Sequence, residues 1–381
     1  MLTTLPPLAL YIHIPWCVKK CPYCDFNSHA AGPTIPEAQY VAALLEDLQH
    51  DLPQVWGRRV TSLFFGGGTP SLFSARAIDD ILCGVRALIT VSPNAEITLE
   101  ANPGTFEQAK FNDYRAIGIN RLSIGIQSFD SEKLQALGRI HNGNEAIKAV
   151  ETAQRAGFDN FNLDLMFGLP QQSPEQGLLD LQTAIDLQPT HLSWYQLTIE
   201  PNTFFYSHPP ILPDDEKIWQ LQEQGQALLA QHGFEQYEIS AYAKSGKPCR
   251  HNINYWEFGD YLGIGAGAHG KISRCDDSSI QRLWKHRQPQ AFMEASDKRA
   301  GTQTLNQQDI IFEFMLNALR LKDGFNLALF EQHTGLSPDV LHDRLLLAQQ
   351  KELLVVNQQH IMPSELGYRF LNDLINLFSA D

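Results

Sequence analysis

Three cysteines fall within eight residues: Cys17, Cys21 and Cys24, in the run His13-Ile-Pro-Trp-Cys17-Val-Lys-Lys-Cys21-Pro-Tyr-Cys24-Asp-Phe. Thiolates are soft ligands, suited to iron-sulfur clusters or to zinc. A closed structural zinc site takes four ligands, and no fourth cysteine follows at the expected spacing. Three thiolates on a four-iron cluster leave one iron without a protein ligand. That iron can take an amino acid's amine and carboxylate. In a reducing compartment such a group reads as metal binding, not as disulfides. Cys83, Cys249 and Cys275 are scattered, and Cys83 reads as a small core residue on a helix.

Other segments could line a ligand site. Gly66, Gly67 and Gly68, followed by Thr69, come directly after an apolar run. Glycines bare the backbone and permit close approach. The run is not G-x-G-x-x-G and no P-loop lysine follows, which argues against a dinucleotide or triphosphate site. Glu100, in Leu99-Glu100-Ala101-Asn102-Pro103-Gly104, is either solvated or turned into a pocket. Asp164 is flanked by Leu163, Leu165 and Met166, where a carboxylate is costly unless paired. Tyr11 and His13 stand two apart on a strand and share a face.

The elements that must position these residues alternate. Leu8 to Ile14 reads as a strand, and the cysteine loop follows. Strands are then predicted at Val60–Phe65, Glu96–Glu100, 121–126, 160–166 and 191–198. Helices are predicted between them at 37–50, Ala75–Ile89, 107–117, 144–156 and 174–187. Gly118 and Gly157 are placed to cap the ends of two of these helices. Repeated strand-helix units build a parallel sheet. Six strands up to residue 198 predict an α/β fold, an incomplete (β/α)6 TIM-like barrel rather than the closed eight. His13, Gly66–Thr69, Glu100, Asn102, Gln127, Asp164 and Gln196 gather toward the C-terminal ends of these strands. Ligands bind along that edge in parallel α/β folds.

Residues 1–200 thus form the core and residues 201–300 an extension with a crossover. Residues 301–381 are predicted as a small winged-helix-like domain, with a hairpin at Leu353–Val356 and His360–Met362 and a closing helix at 364–377. The chain carries 29 Lys plus Arg against 43 Asp plus Glu, a net charge of -14. That balance argues against a general nucleic-acid binder. The N-terminus has no basic, apolar leader pattern, and no run approaches the roughly 18 apolar residues of a membrane span. A cytoplasmic protein is expected, and transient peripheral contact with the inner membrane is compatible with that.

The C-x3-C-x2-C spacing resembles that of the radical S-adenosylmethionine superfamily. The resemblance implies a 4Fe-4S cluster on Cys17, Cys21 and Cys24, with S-adenosylmethionine chelating the open iron. One electron from the reduced cluster would cleave a carbon-sulfur bond, giving methionine and a 5'-deoxyadenosyl radical. Tyr23 is similar to the usual aromatic neighbour of the last cysteine. Gly66, Gly67, Gly68 and Thr69 resemble the segment that receives the methionyl amine.

Over about residues 8–375 the chain resembles oxygen-independent coproporphyrinogen oxidases and their relatives, the HemW heme chaperones. A matching Glu-x-Asn-Pro, the Ile124-Gly-Ile-Gln127-Ser run, Arg139 after Leu137-Gly138 and Asp164 carry that likeness. It implies that Glu100, Gln127, Arg139 and Asp164 surround the cofactor, with Tyr11 beside it. Asp164 suits ribose hydroxyls, and Arg139 a carboxylate.

Three features favour the chaperone branch. Phe26 stands where the oxidase has a further cysteine, and the segment before the first strand is short. The third is Cys249-Arg250-His251-Asn252-Ile253-Asn254-Tyr255-Trp256, similar to the chaperones' His-Asn-x-x-Tyr-Trp. There His or Cys could bind heme iron, and His251 rather than Cys249 is the expected ligand, with Tyr255 or Trp256 packed on the ring and Arg250 facing a propionate. A loop fixed by His251 and Asn252, with Trp256 in the core, is the plainer alternative. In Gly263-Ile-Gly265-Ala-Gly267-Ala-His269-Gly270, His269 has no assignable role, and a structural turn is expected. The resemblance implies heme delivery to apo-proteins such as respiratory-chain enzymes of the membrane, with a heme donor such as bacterioferritin and dimer formation. The competing reading is a radical oxidoreductase that decarboxylates coproporphyrinogen III.

Overall fold

A computed structural model describes residue 2, residues 4–104 and residues 108–379. Six parallel strands lie side by side in chain order. They are β1 (Leu8–Ile14), β2 (Arg59–Gly67), β3 (Thr90–Ala101), β4 (Arg121–Gln127), β5 (Phe161–Phe167) and β6 (His191–Gln196). Helices between them cover the outer face, as the incomplete barrel requires. Local chemistry sets their ends. Asn142 with Glu145, and Ser173 with Gln176, form capping boxes. Gly118 and Gly157 close helices at φ of 105° and 83°, where a side chain would be strained.

The middle section extends both edges of this sheet. Beyond β6 lie β7 (Glu235–Glu238) and β8 (Ala241–Ala243), with β8 antiparallel to β6. Beyond β1 lies β9 (Asp260–Ile264), parallel to it. Then come β10 (His269–Ser273), β11 (Ile280–Lys285) and β12 (Arg299–Thr304), each antiparallel to the last. The result is one twelve-stranded sheet. A separate apolar core, centred on Phe314, Phe330 and Leu374, organises the C-terminal residues.

Several expectations need correction. The C-terminal hairpin is present, at Leu354–Asn357 and His360–Pro363, but Phe325–Asn326 adds a third strand to it. The closing helix is two helices, Glu365–Arg369 and Leu371–Asn376, broken at Phe370, which leaves helical geometry. Part of the helix expected at 107–117 lies outside the described residues, and the segment seen is Phe111–Ala116. Cys83 is exposed, because the buried stripe of its helix runs through Ile78, Ile81, Leu82 and Val85.

Buried ion pairs join the β9–β12 extension to the barrel. Lys285, 1% exposed, is bonded to Asp47 and, at 2.7 Å, to Asp51. Asp260 takes Lys271 at 2.8 Å and Arg58 at 2.7 Å. Removing one partner of such a group leaves an uncompensated buried charge. Lys285→Met is therefore expected to lower unfolding free energy by about 3–5 kcal/mol, read as a fall in the urea midpoint. An unchanged midpoint would show that the two aspartates are held by other means.

Candidate functional site

The cysteine loop sits over the C-terminal ends of the strands. Trp16–Cys17 pairs with His29–Ala30, and the Cys24 amide donates to the Cys21 carbonyl at 3.1 Å. All three thiols are free, Cys17 buried and the other two half-buried. Burial pushes the Cys17 and Cys24 thiols up, and the Ser28 hydroxyl draws them down. Among the described residues no three ligand side chains are drawn tightly enough for a single metal ion. Arg139 reaches into this loop. Its Nη2 donates to Asn102 Oδ1 and to the Gly125 carbonyl, both at 2.8 Å, and Nη1 approaches Cys21 Sγ at 3.7 Å. Its buried Nε has no partner among the described residues. Tyr23 packs near Phe205, with ring centroids 6.4 Å apart.

The glycine run passes directly beneath. A Cβ on Gly68 would lie 2.5 Å from the Trp16 carbonyl oxygen, and one on Gly67 2.6 Å from the His13 ring. Gly67 also has φ of +117°. Gly67→Ala is thus expected to cost on the order of 1–3 kcal/mol and to weaken S-adenosylmethionine binding, as titration of the cluster-loaded chain would show. Binding equal to wild type would remove the glycines from the site. Gly67 N–H donates to Glu100 Oε2 at 3.1 Å, and Asn102 Nδ2 to Thr69 Oγ1 at 3.0 Å. His13 Nε2 donates to the Asn27 carbonyl at 2.9 Å, so Nδ1 accepts from the Tyr11 hydroxyl at 2.9 Å. Burial lowers His13 to about 4, so it is a neutral linker.

Alternate residues of the strands face a polar lumen, unlike the branched apolar layers of a closed barrel. A cavity of about 260 Å³ lies there, lined in part by Glu100, Arg121, Ser123, Asp164 and His191. Asp164 accepts from Asn162 Nδ2 at 2.7 Å and Ser123 Oγ at 3.2 Å. Burial pushes its carboxyl up. Burial, and then the neighbouring Asp164, raise Glu100 to about 8. His191 donates from Nδ1 to Asn162 Oδ1 at 2.6 Å and accepts at Nε2 from Tyr237. Gln127, at φ of +70°, accepts from the Tyr195 hydroxyl at 2.9 Å.

Two expected placements differ. Asp164 lies in the middle of β5, not at its end. Gln196 is exposed, and Tyr195 takes the inward position. Arg121, Ser123, Asn162, His191, Ser193 and Tyr195 escaped sequence reasoning. Their signal was polar-apolar alternation in strands that should be apolar on both faces.

The helix Arg250–Trp256 closes the opposite, N-terminal end of the barrel. His251 is 1% exposed, its ring stacked 5.0 Å from Phe64 and its Nδ1 3.0 Å from Ser62 Oγ. Burial lowers it to about 3. Arg250 is spent on the Asn94 carbonyl at 2.7 Å, and Trp256 lies under the Arg320 guanidinium at 4.3 Å. Of the motif, only Tyr255 reaches the larger cavity, about 1070 Å³, above the lumen. Tyr11, Glu100 and Tyr255 border both cavities.

Residues 11–181 match the Radical SAM superfamily and residues 305–370 the HemN C-terminal domain. Over 382 residues the chain is 51% identical to the heme chaperone HemW of Escherichia coli (strain K12), covering 99% of each. The chain belongs to the HemW family. The heme chaperone HemW of Haemophilus influenzae is 50% identical over 381 residues, again covering 99% of each. Coproporphyrinogen III oxidase (HemN) of Escherichia coli shares the fold, with a TM-score of 0.83 at 24% identity, over 99% of this chain and 91% of that one.

HemW proteins belong to the radical S-adenosylmethionine group, whose cofactors are a 4Fe-4S cluster and S-adenosylmethionine. The residues present fit both. Three free thiols share one loop with a guanidinium beside them. The glycine run leaves bare backbone next to two buried carboxyls that a cationic cofactor would draw into their charged form.

Proposed function

We propose that this HemW-family chain is a heme carrier that delivers heme to apo-proteins, respiratory enzymes of the membrane among them. A heme-storing donor protein and a second copy of the chain are its proposed partners. The observation that supports the reading best is the cavity of about 1070 Å³ beside the cysteine loop, whose walls include Tyr11, Gly67 and Glu100 of the proposed cofactor shell as well as the β9–β12 extension. It is at the upper end of the roughly 300–1,000 Å³ of small-molecule sites, which suits a tetrapyrrole. Cys17, Cys21 and Cys24 hold the cluster in this reading. Tyr11, Tyr23, Gly66–Gly68, Thr69, Glu100, Gln127, Arg139 and Asp164 form the S-adenosylmethionine shell. When bound and reduced, the cluster supplies the electron that cleaves the cofactor's carbon-sulfur bond. No helix among the described residues is long and apolar enough to cross a membrane.

The test loads the anaerobic, cluster-bearing chain with heme and mixes it with a heme-free respiratory enzyme. The same sample is assayed for carbon dioxide from coproporphyrinogen III. Client reactivation without decarboxylation is the expected result. Decarboxylation without reactivation would overturn the carrier reading in favour of an oxidase.

A further inference from the structure

We propose that heme sits in the upper cavity with His269 as an axial ligand of its iron and Arg287 facing a propionate. This rests on the carrier reading and gives it a place. The cavity lies between the cysteine loop, the β9–β12 sheet and the helix Gln307–Ala318.

Heme asks three things of a site: a neutral donor for iron, apolar surface for a flat ring, and cations for two carboxylates. His251 is a neutral donor but has no room beside it for the ring. Its ring stacks on Phe64 and meets Tyr255 edge to face, and its buried Nε2 has no partner among the described residues. The space at its tip is the lower cavity of about 260 Å³. That volume is below the roughly 300–1,000 Å³ of small-molecule sites and is too small for a porphyrin.

His269 has the opposite setting. It opens β10, is exposed, and lies in the wall of the larger cavity. Among the described residues no hydrogen bond engages its ring. Partial desolvation against the cavity wall first, then Arg282 and Arg287, lower its pKa, which favours the neutral imidazole that binds iron. Trp284 is its partner across the β10–β11 ladder. The indole lies over Gly301, where a Cβ would come within 2.3 Å of the ring. Tyr255 and Tyr261 meet edge to face at 4.3 Å on the same wall. Opposite, Phe26 and Leu316 are 64% and 42% exposed at the rim. Apolar side chains left open around one concavity mark a ligand surface.

The two arginines are not equivalent. Arg282 is held by Glu313 at 2.6 Å and Tyr261 at 2.7 Å, so much of its charge is already answered. No carboxylate pairs with Arg287 among the described residues, and it stands exposed on the same cavity. Asn27 of the cysteine loop donates to the carbonyls of Ala266 and Arg287, both at 2.9 Å. That side chain ties the loop of the cluster to both ends of the proposed heme site.

The experiment titrates hemin into the full-length chain and into His269→Ala, His251→Ala and Arg287→Ala, following the Soret band and the low-temperature EPR spectrum. His269→Ala is expected to change the ligand signature and weaken hemin about tenfold or more, with added imidazole restoring the spectrum. It should bind iron-free protoporphyrin as wild type does, since only the iron contact is lost. His251→Ala should keep the wild-type signature. Arg287→Ala should weaken hemin but not its dimethyl ester. An unchanged spectrum in His269→Ala, or a signature lost in His251→Ala instead, overturns the site and leaves the carrier reading standing. A wild-type chain that takes up no hemin overturns both.

Discussion

Replacing Cys21 with serine is expected to leave an anaerobically reconstituted chain almost without iron and without the broad visible absorption of a thiolate-bound cluster. Cys21 is the informative choice of the three. It is half-buried and free, whereas Cys17 is 7% exposed and part of the core beside Trp16. The serine variant should therefore fold with a stability within about 0.5 kcal/mol of wild type, so that lost iron reports lost ligation. S-adenosylmethionine binding should fall with the iron, because the open coordination site is gone. Cys249→Ser is the control. Cys249 is fully buried beside Glu96, far from the loop, and its loss should not change iron content. A full complement of iron in Cys21→Ser would mean that the cluster draws its third ligand from elsewhere.

The second large effect is on pH dependence. Glu100 has a folded-state value of about 8 against an ordinary 4.5, pushed up by burial and by Asp164. The folded, cofactor-free chain thus keeps a proton that the unfolded chain has lost. Its stability falls as pH rises from about 4.5 through 8, by the linkage slope of a group bound more tightly in the native state. Glu100→Gln removes that loss, so the variant should melt higher than wild type at pH 8.5 and equally at pH 4.5. Cofactor binding should run the other way. S-adenosylmethionine carries a permanent sulfonium cation, which favours the ionised carboxylate. Affinity of the wild type should rise about tenfold per pH unit up to 8, roughly a hundredfold from pH 6, and then level off. Glu100→Gln should bind weakly at every pH. Isothermal titration in buffers of different ionisation heat would count the released proton. A flat wild-type profile between pH 6 and 8 would show that Glu100 does not give up its proton to the cofactor.

Much of this architecture could be read in advance. β1 begins and ends where its apolar, branched residues predict, at Leu8 and Ile14. Gly118 and Gly157 close their helices as glycines in that position do. The thiols come together because the chain places them on one short loop. The misses have physical reasons. A strand's inward set changes completely with a slip of one residue, and so Gln196 was expected where Tyr195 stands. Cys83 follows Leu82 directly, and one step of about 100° carries it off the buried stripe. The placement of His251 depends on contacts with Ser62 and Glu96, more than 150 positions earlier in the chain. No local pattern reports which end of a barrel such a helix will cover. The same holds for His269, whose surroundings combine strands from the barrel and from its extension, the cysteine loop and a C-terminal helix.

The helix that closes the barrel floor is tied to the barrel by Arg250 on the Asn94 carbonyl and His251 on Ser62 and Glu96, and it is clasped from the other side as well. Its last tryptophan is pinned by Arg320, which also grips Glu238 of β7 at 3.0 Å. The residues just after it are clasped by His333, which donates to the Glu257 carbonyl at 2.6 Å, and by Phe314, whose ring meets Phe258 at 5.7 Å. All three clasps come from the C-terminal region. The boundary drawn near residue 300 is therefore not a cutting line. A chain ending there would resemble a cup with its base fastened along one side only. Insertions, swaps and fusions in this family should be tolerated at the loops around the rim and resisted at that seam, because the two halves were shaped as parts of one vessel.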